Sequence, residues 1–159
     1  MAKMKWVGLE EYEMQLSKLQ EVSRECIGEA IYEGAGIVAD AVRANIEAIP
    51  VDNRRVKQGE MLHGISQPQK DGLLESFGIA PLQDDEGFIH VKLGFDGYNG
   101  VKTKNYPNGQ PNAVIARSVN AGTSFRIKIP FVDNAVNAKR ADAEQAIKER
   151  FDKALEKAL

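Results

Sequence analysis

One cysteine, two histidines and one tryptophan stand among 159 residues. A lone Cys26 excludes an intrachain disulfide and fits a reducing compartment. It lies on an apolar stripe with Glu25 and Glu29 beside it, so it reads as a small buried hydrophobe and not as a thiolate. His63 falls in a polar stretch with no second ligand at metal spacing, and His90 falls on the outer side of an expected strand. Both histidines read as solvent-facing. Long apolar runs are also missing, none approaching the roughly 18 residues that span a bilayer, so no membrane partner is expected. The N-terminus runs from Lys3 and Lys5 into Glu10, Glu11 and Glu13, which is not the pattern of a secretory leader. The net charge of -2 gives no general affinity for nucleic acid.

Chemistry-bearing patterns are equally scarce. There is no glycine-rich phosphate loop with its lysine, no nucleophile elbow and no Ser/His/Asp ordering. Asp84, Asp85 and Glu86 cluster at a turn but lack the alternating oxygens of a calcium loop. The expectation is therefore a non-enzymatic protein with no catalytic, cofactor-binding or metal-binding residues.

What is present is helical periodicity. Leu9, Tyr12, Leu16 and Leu19 predict a short amphipathic helix after a possible strand at Met4–Val7. Ser23 reads as the cap of a longer helix. Its stripe runs through Cys26, Ile27, Ala30, Ile31, Gly34, Ile37, Val38, Ala41, Val42, Asn45, Ile46 and Ile49, and Pro50 stops it. Gly34 and Gly36 inside it point to close approach of another backbone. Residues 53–72 show no period and read as a long loop or mobile arm. Leu73–Leu82 and Phe88–Phe95 read as paired strands about the turn Asp84–Gly87, with Ile89, Val91, Leu93 and Phe95 facing the core. Residues 96–112 form a second loop. Ala113–Asn120 reads as a short helix with Val114, Ile115 and Val119 as its apolar contacts. Phe125–Phe131 reads as extended. A last helix begins at Val132 or Ala138 and buries Ala143, Ile147, Phe151, Ala154 and Leu155. This order predicts one α+β domain over residues 1–159: an antiparallel β-sheet packed against a long N-terminal helix and a C-terminal helix.

Charge is unevenly spread. Residues 1–96 carry 10 basic and 17 acidic side chains, and residues 97–159 carry 11 and 6. Two readings stay open: chance plus a basic last helix, or an acidic face of one subunit meeting a basic face of the next. Lys102 and Lys104 with Tyr98 and Tyr106 make a basic-aromatic loop able to touch either a neighbouring subunit or nucleic acid.

Three stretches carry a resemblance. They are Trp6-Val7-Gly8-Leu9-Glu10-Glu11 leading to Ile49-Pro50-Val51-Asp52; Gly72-Leu73-Leu74-Glu75-Ser76-Phe77; and Ala116–Ser124 followed by Ile129-Pro130-Phe131-Val132-Asp133-Asn134-Ala135. Their order is similar to the phage tail-component family, the neck, tail-completion or head–tail joining proteins of long-tailed phages and prophages. There a PVDTGxLxxS stretch follows the long helix, and a V-E-x-G-T-S stretch and an RPFLxPA stretch come later. In this chain the first motif is split by about twenty residues, as an insertion would split it, and Asn120-Ala121 replaces an acidic-aromatic pair.

The resemblance implies a structural virion protein at the head–tail junction, assembled in the host cytoplasm as a homo-oligomeric ring, with a hexamer as one copy number. Implied partners are tail-tube or terminator and connector proteins, with DNA passing through the ring lumen. A tail terminator, or a small nucleic-acid-contacting module using the basic C-terminal third, are the alternatives. Gly122, Thr123, Ser124, Pro130 and Phe131 then act as scaffold, by a glycine conformation, hydroxyl-pinned turn, fixed direction and buried ring. Arg54, Arg55, Lys57, Tyr98, Lys102, Lys104 and Tyr106, on the two loops, are the expected partner and subunit contacts.

Overall fold

A computed structural model describes residues 9–158. Its elements are α1 (Leu9–Ala48), α2 (Gln67–Ser76), β1 (Phe77–Ile79), β2 (Gln83–Asp85), β3 (Phe88–His90), β4 (Leu93–Phe95), α3 (Asn112–Ala121) and α4 (Phe131–Ala158). The expected strand at Met4–Val7 lies outside the described residues.

The two N-terminal helices expected from the sequence are one helix of 40 residues, about 60 Å long at 1.5 Å per residue. The reason is phase. Leu16, Leu19, Ser23, Cys26 and Ala30 continue one three- and four-residue stripe, and nothing between Leu19 and Ser23 breaks a helix. Pro50 lies just beyond the end, as expected.

Helix α4 packs antiparallel along α1. The pairings run from Asn45 Nδ2, which donates to the Phe131 carbonyl at 2.9 Å, down to Arg150, which is 2.9 Å from Glu29. Between them Gly34 admits α4: a Cβ there would lie 2.5 Å from Ile147 Cγ1. Gly36 has nothing within 4 Å, so the expected close approach holds for one glycine and not the other.

The strands form two small antiparallel sheets, β1 with β4 and β2 with β3, where one continuous hairpin was expected. Phe77 pairs with Phe95 and Ile79 with Leu93; further out, Gln83 pairs with His90. Between the two pieces one arm has three residues, Ala80-Pro81-Leu82, and the other has two, Val91-Lys92. Pro81 has no N–H to give a ladder, and the extra residue throws the outer hairpin out of register with the inner one. Leu93 and Phe95 accordingly pack on the core, whereas Ile89 and Val91 are only half-buried and do not join it. The first strand also starts later than expected, because Leu73–Ser76 belongs to α2.

The core joins Ala39, Val42 and Ile46 of α1, and Ile49 just past its end, to Leu73, Phe77, Ile115, Val119, Phe131 and Ala135. The Phe77, Phe95 and Phe131 rings touch in series, with centroids 5.1 and 6.1 Å apart. The molecule is therefore α+β, its antiparallel strands packed against the long N-terminal helix and the C-terminal helix. Helix α3 stands as expected, except that Val114 faces out at 43% exposure and Ala116 takes its place in the core. Of the segment Phe125–Phe131, Phe125 belongs to a turn with Ser124, closed by the bridge of Thr123 to Arg126, and only Arg126–Pro130 lies outside turn and helix. Phe131 opens α4, seven residues before the later of the two expected starts.

Candidate functional site: an acidic cleft backed by buried amides

The segment read as a loop or mobile arm is neither over its whole length. Residues 53–66 make an excursion that is closed at its base. Val51 bridges Ile65, Asp52 N donates to the Ile65 carbonyl at 2.7 Å, and Ile65 N donates to the Pro50 carbonyl at 3.1 Å. The far side is stitched to residues 125–127: Leu62 N donates to Phe125 O at 2.7 Å, and Ile127 N donates to Leu62 O at 3.0 Å. Residues 67–72 are helical. A capping box starts α2, with Ser66 N donating to Gln69 Oε1 at 3.0 Å and Gln69 N reaching Ser66 Oγ at 3.4 Å. The S-x-x-Q signature with Pro68 in the first turn was legible in the sequence and outweighs the glycines around it.

Asp52 holds the excursion together. Its carboxylate takes both Arg54 Nε and Nη2 at 2.8 Å and the His63 amide at 2.9 Å. The Arg54 guanidinium, then the His63 amide, keep this carboxyl well below the ordinary value of 3.8. A carboxyl depressed in the folded state contributes stability above its unfolded value and loses it as pH falls through the folded one. The excursion should therefore stay closed at mildly acidic pH and open only under strong acid. The His63 amide shift, followed by NMR, should titrate far below 3.8; a midpoint at the ordinary carboxylate value would contradict this.

Arg126 lies behind the excursion and is only 3% exposed, a depth rare for a guanidinium. Nη1 donates to Ser118 Oγ at 2.9 Å and Nη2 to Gln69 Oε1 at 3.4 Å; Nε has no partner. Among the described residues no carboxylate lies within ion-pair distance of it. Burial pulls its pKa below the usual guanidinium value, and the more distant Asp52 opposes this. From Gln69 a chain of amides runs on. Gln69 Nε2 and Asn99 Nδ2 both donate to Gln110 Oε1, at 2.9 and 3.1 Å, and Asn99 Oδ1 accepts from the Gln110 amide at 3.1 Å. Asn112 Nδ2 donates to the Asp96 carbonyl at 2.9 Å. These side chains tie α2, residues 96–111 and α3 into one frame.

In front of that frame, between α2 and residues 96–100, is a cleft of about 420 Å³. Asp71, Glu75 and Asp96 border it, Tyr98 stands at its mouth at 69% exposure, and no lysine or arginine lines it. Asn112 Oδ1 and Ser76 Oγ, both buried, have no hydrogen-bond partner. Leaving a buried acceptor unmatched costs roughly 1–3 kcal/mol.

The expected contact residues divide between two surfaces. Arg54 is committed to Asp52, while Arg55 and Lys57 are exposed. Tyr98, Lys102 and Lys104 are exposed on the second loop, and Tyr106 is half-buried with its amide 3.1 Å from Thr103 Oγ1. Among the described residues no hydrogen bond or ion pair joins the two sets. The expected scaffold residues sit together around the end of α3. Gly122 ends α3 at φ 76°, where a Cβ would press on Lys128 Cα at 3.1 Å. Thr123 Oγ1 accepts from the Phe125 amide at 3.4 Å, and Thr123 bridges Arg126. Ser124 is exposed, Pro130 O accepts from the Asn134 amide at 2.9 Å, and Phe131 is 2% exposed.

Sequence reasoning missed Gln69, Asn99, Gln110, Asn112 and Arg126, since nothing in a polar side chain's spacing announces that it is buried. It also missed Asn120, whose Oδ1 accepts from the Val132 and Asp133 amides at 3.1 and 3.3 Å and so caps α4. His90, expected to face solvent, is half-covered and lies 3.1 Å from Gln83 Oε1. Among the described residues no three His, Cys, Asp or Glu side chains are placed to hold a metal ion, and no helix is long and apolar enough to cross a membrane.

No family model, curated protein or solved structure matches this chain.

Proposed function

We propose that this protein is a structural subunit of a long-tailed phage or prophage particle that assembles as a ring at the head–tail junction. The observation that carries this reading is how the split motif closes up. Pro50-Val51-Asp52 and Gly72-Leu73 stand about twenty residues apart in sequence, but the bridge between Val51 and Ile65 brings the chain back before α2 begins. Arg126, between the two halves of the third stretch, reaches Ser118 of that stretch and Gln69 of α2, the helix that carries Gly72-Leu73. An insertion pinched off at its base leaves the frame of such a subunit intact.

Two further features support the reading. Arg55, Lys57, Lys102 and Lys104 are exposed on loops carried by a rigid frame, where contact residues are commonly found. Exposed Leu16 and Leu19, three residues apart, give the first half of α1 a small apolar patch on one face. The uneven charge contributes less than its sum implies, because Arg150 of the basic third is taken up within the subunit by Glu29 and Glu33, at 2.9 and 3.7 Å. A tail-terminator role in the same assembly would use the same surfaces. Nucleic-acid contact is disfavoured beside Tyr98, where Asp71, Glu75 and Asp96 would meet a phosphate backbone with like charge.

The test is reconstitution with the connector and tail-tube proteins encoded beside it. Co-sedimentation as a defined oligomer is expected, and reversing Lys102 and Lys104 to glutamate should weaken it about tenfold or more. A chain that stays monomeric with every such partner would refute the proposal.

A further inference from the structure

The cleft between α2 and residues 96–100 holds an unbalanced charge. Asp71, Glu75 and Asp96 border it, and none of the three makes an ion pair among the described residues. Asp71 accepts one hydrogen bond, from Gln67 Nε2 at 2.8 Å. The floor adds an independent sign of a missing donor. Asn112 is 3% exposed, its Nδ2 is fixed on the Asp96 carbonyl, and its Oδ1 is left over Gly72 with no partner. Ser76 Oγ lies beside the same cleft, also unpartnered.

The lining selects its ligand. The three carboxylates and the Asn112 side-chain oxygen only accept, the Ser76 hydroxyl can accept as well as donate, and no basic side chain lines the cleft, so the complement is a cation rich in donors. Among the described residues no three His, Cys, Asp or Glu side chains, these carboxylates included, are placed to hold a metal ion. A planar guanidinium offers five N–H groups in a fixed fork and can meet acceptors several ångströms apart. The exposed Tyr98 ring at the mouth supplies a face on which such a cation stacks.

The geometry points to an arginine-binding pocket: the cleft bordered by Asp71, Glu75, Asp96 and Tyr98 accepts the side chain of an arginine presented by another protein chain, whether a second copy or an assembly partner. The site stands apart from the ring reading. A protein that never assembles can still bind arginine, and a ring can close without this pocket, so the two fail separately.

The test is titration of the full-length, isotope-labelled chain with N-acetyl-L-arginine methylamide, observed by amide NMR. Shifts confined to Gly72, Gly97, Asn99 and Gly100 and their neighbours are expected, saturating in the millimolar range. N-acetyl-L-citrulline methylamide has the same shape without the charge and should produce none, and the lysine analogue should bind several-fold more weakly. Glu75→Gln with Asp96→Asn should weaken arginine binding about tenfold while the rest of the spectrum is unchanged. No shift with arginine, equal shifts with citrulline or lysine, or full binding by the double variant would each overturn the assignment. Because the citrulline comparison uses the unaltered protein, a variant that fails to fold does not rescue the proposal. A peptide spanning residues 53–58 and the tail partners, added as competitors, then distinguish a second copy from another protein as the source of the arginine.

Discussion

Phe131→Ala should destabilise the protein by about 3–5 kcal/mol, the range for removing a fully buried aromatic ring, and lower the melting temperature by roughly 6–20 °C for a chain of this size. Phe131 is 2% exposed and meets Phe95 edge-on, and Phe95 in turn meets Phe77. The ring is therefore the point at which α4 is fixed to the inner strands. Its carbonyl also receives Asn45 Nδ2 of α1 at 2.9 Å, so collapse of the site would disturb a second helix. The surrounding residues belong to three elements whose backbones are held independently, which limits how far they can close the hole. Thermal and chemical denaturation followed by circular dichroism measures the loss. A change below about 1 kcal/mol would mean that α4 is not anchored here.

Gly64→Ala should be comparably severe for a different reason. A Cβ at this position would overlap the Pro50 carbonyl, and backbone on backbone leaves no flexible side chain to move aside. The variant must break the ties of Ile65 to Pro50 and Asp52, at a cost of about 1–3 kcal/mol or more. It should also release residues 53–66, making Arg54, Arg55 and Lys57 new sites of tryptic cleavage. Gly36→Ala is the matched control. Nothing lies within 4 Å of that position, and alanine there should be neutral or stabilising by about 1 kcal/mol. Equal resistance of Gly64→Ala and the unaltered protein to trypsin would contradict the closed excursion.

The helices were legible in the sequence because burial repeats at the helical period. The stripe from Cys26 to Ile49 and the stop at Pro50 stand as read, and so does the short helix holding Ile115 and Val119. The error at Ser23 came from weighing a capping residue above the phase of the stripe. In the strand region, Leu73 and Leu74 fit a strand or a helix equally well at that length, and only the Ser66–Gln69 box decides for the helix. The displacement of the outer hairpin rests on one extra residue around Pro81, which alternation alone does not reveal. The cleft was hidden for a deeper reason. Its carboxylates come from a helix and a loop about twenty residues apart, and its unmatched polar atoms belong to asparagine and serine side chains, whose burial depends on tertiary contacts. Tyr98 was singled out beforehand as a contact residue, and Gly72, Glu75 and Ser76 only as parts of a motif.

The central claim, that this chain works by forming a ring between head and tail, is tested most directly by imaging the reconstituted mixture with its connector and tail-tube partners by electron cryo-microscopy. The expected result is closed rings of this chain seated on the tube or connector end, with residues 53–66 and 96–111 at the contacts. Particles in which connector and tube join fully without it, or a chain found only as free monomer beside them, would contradict the account.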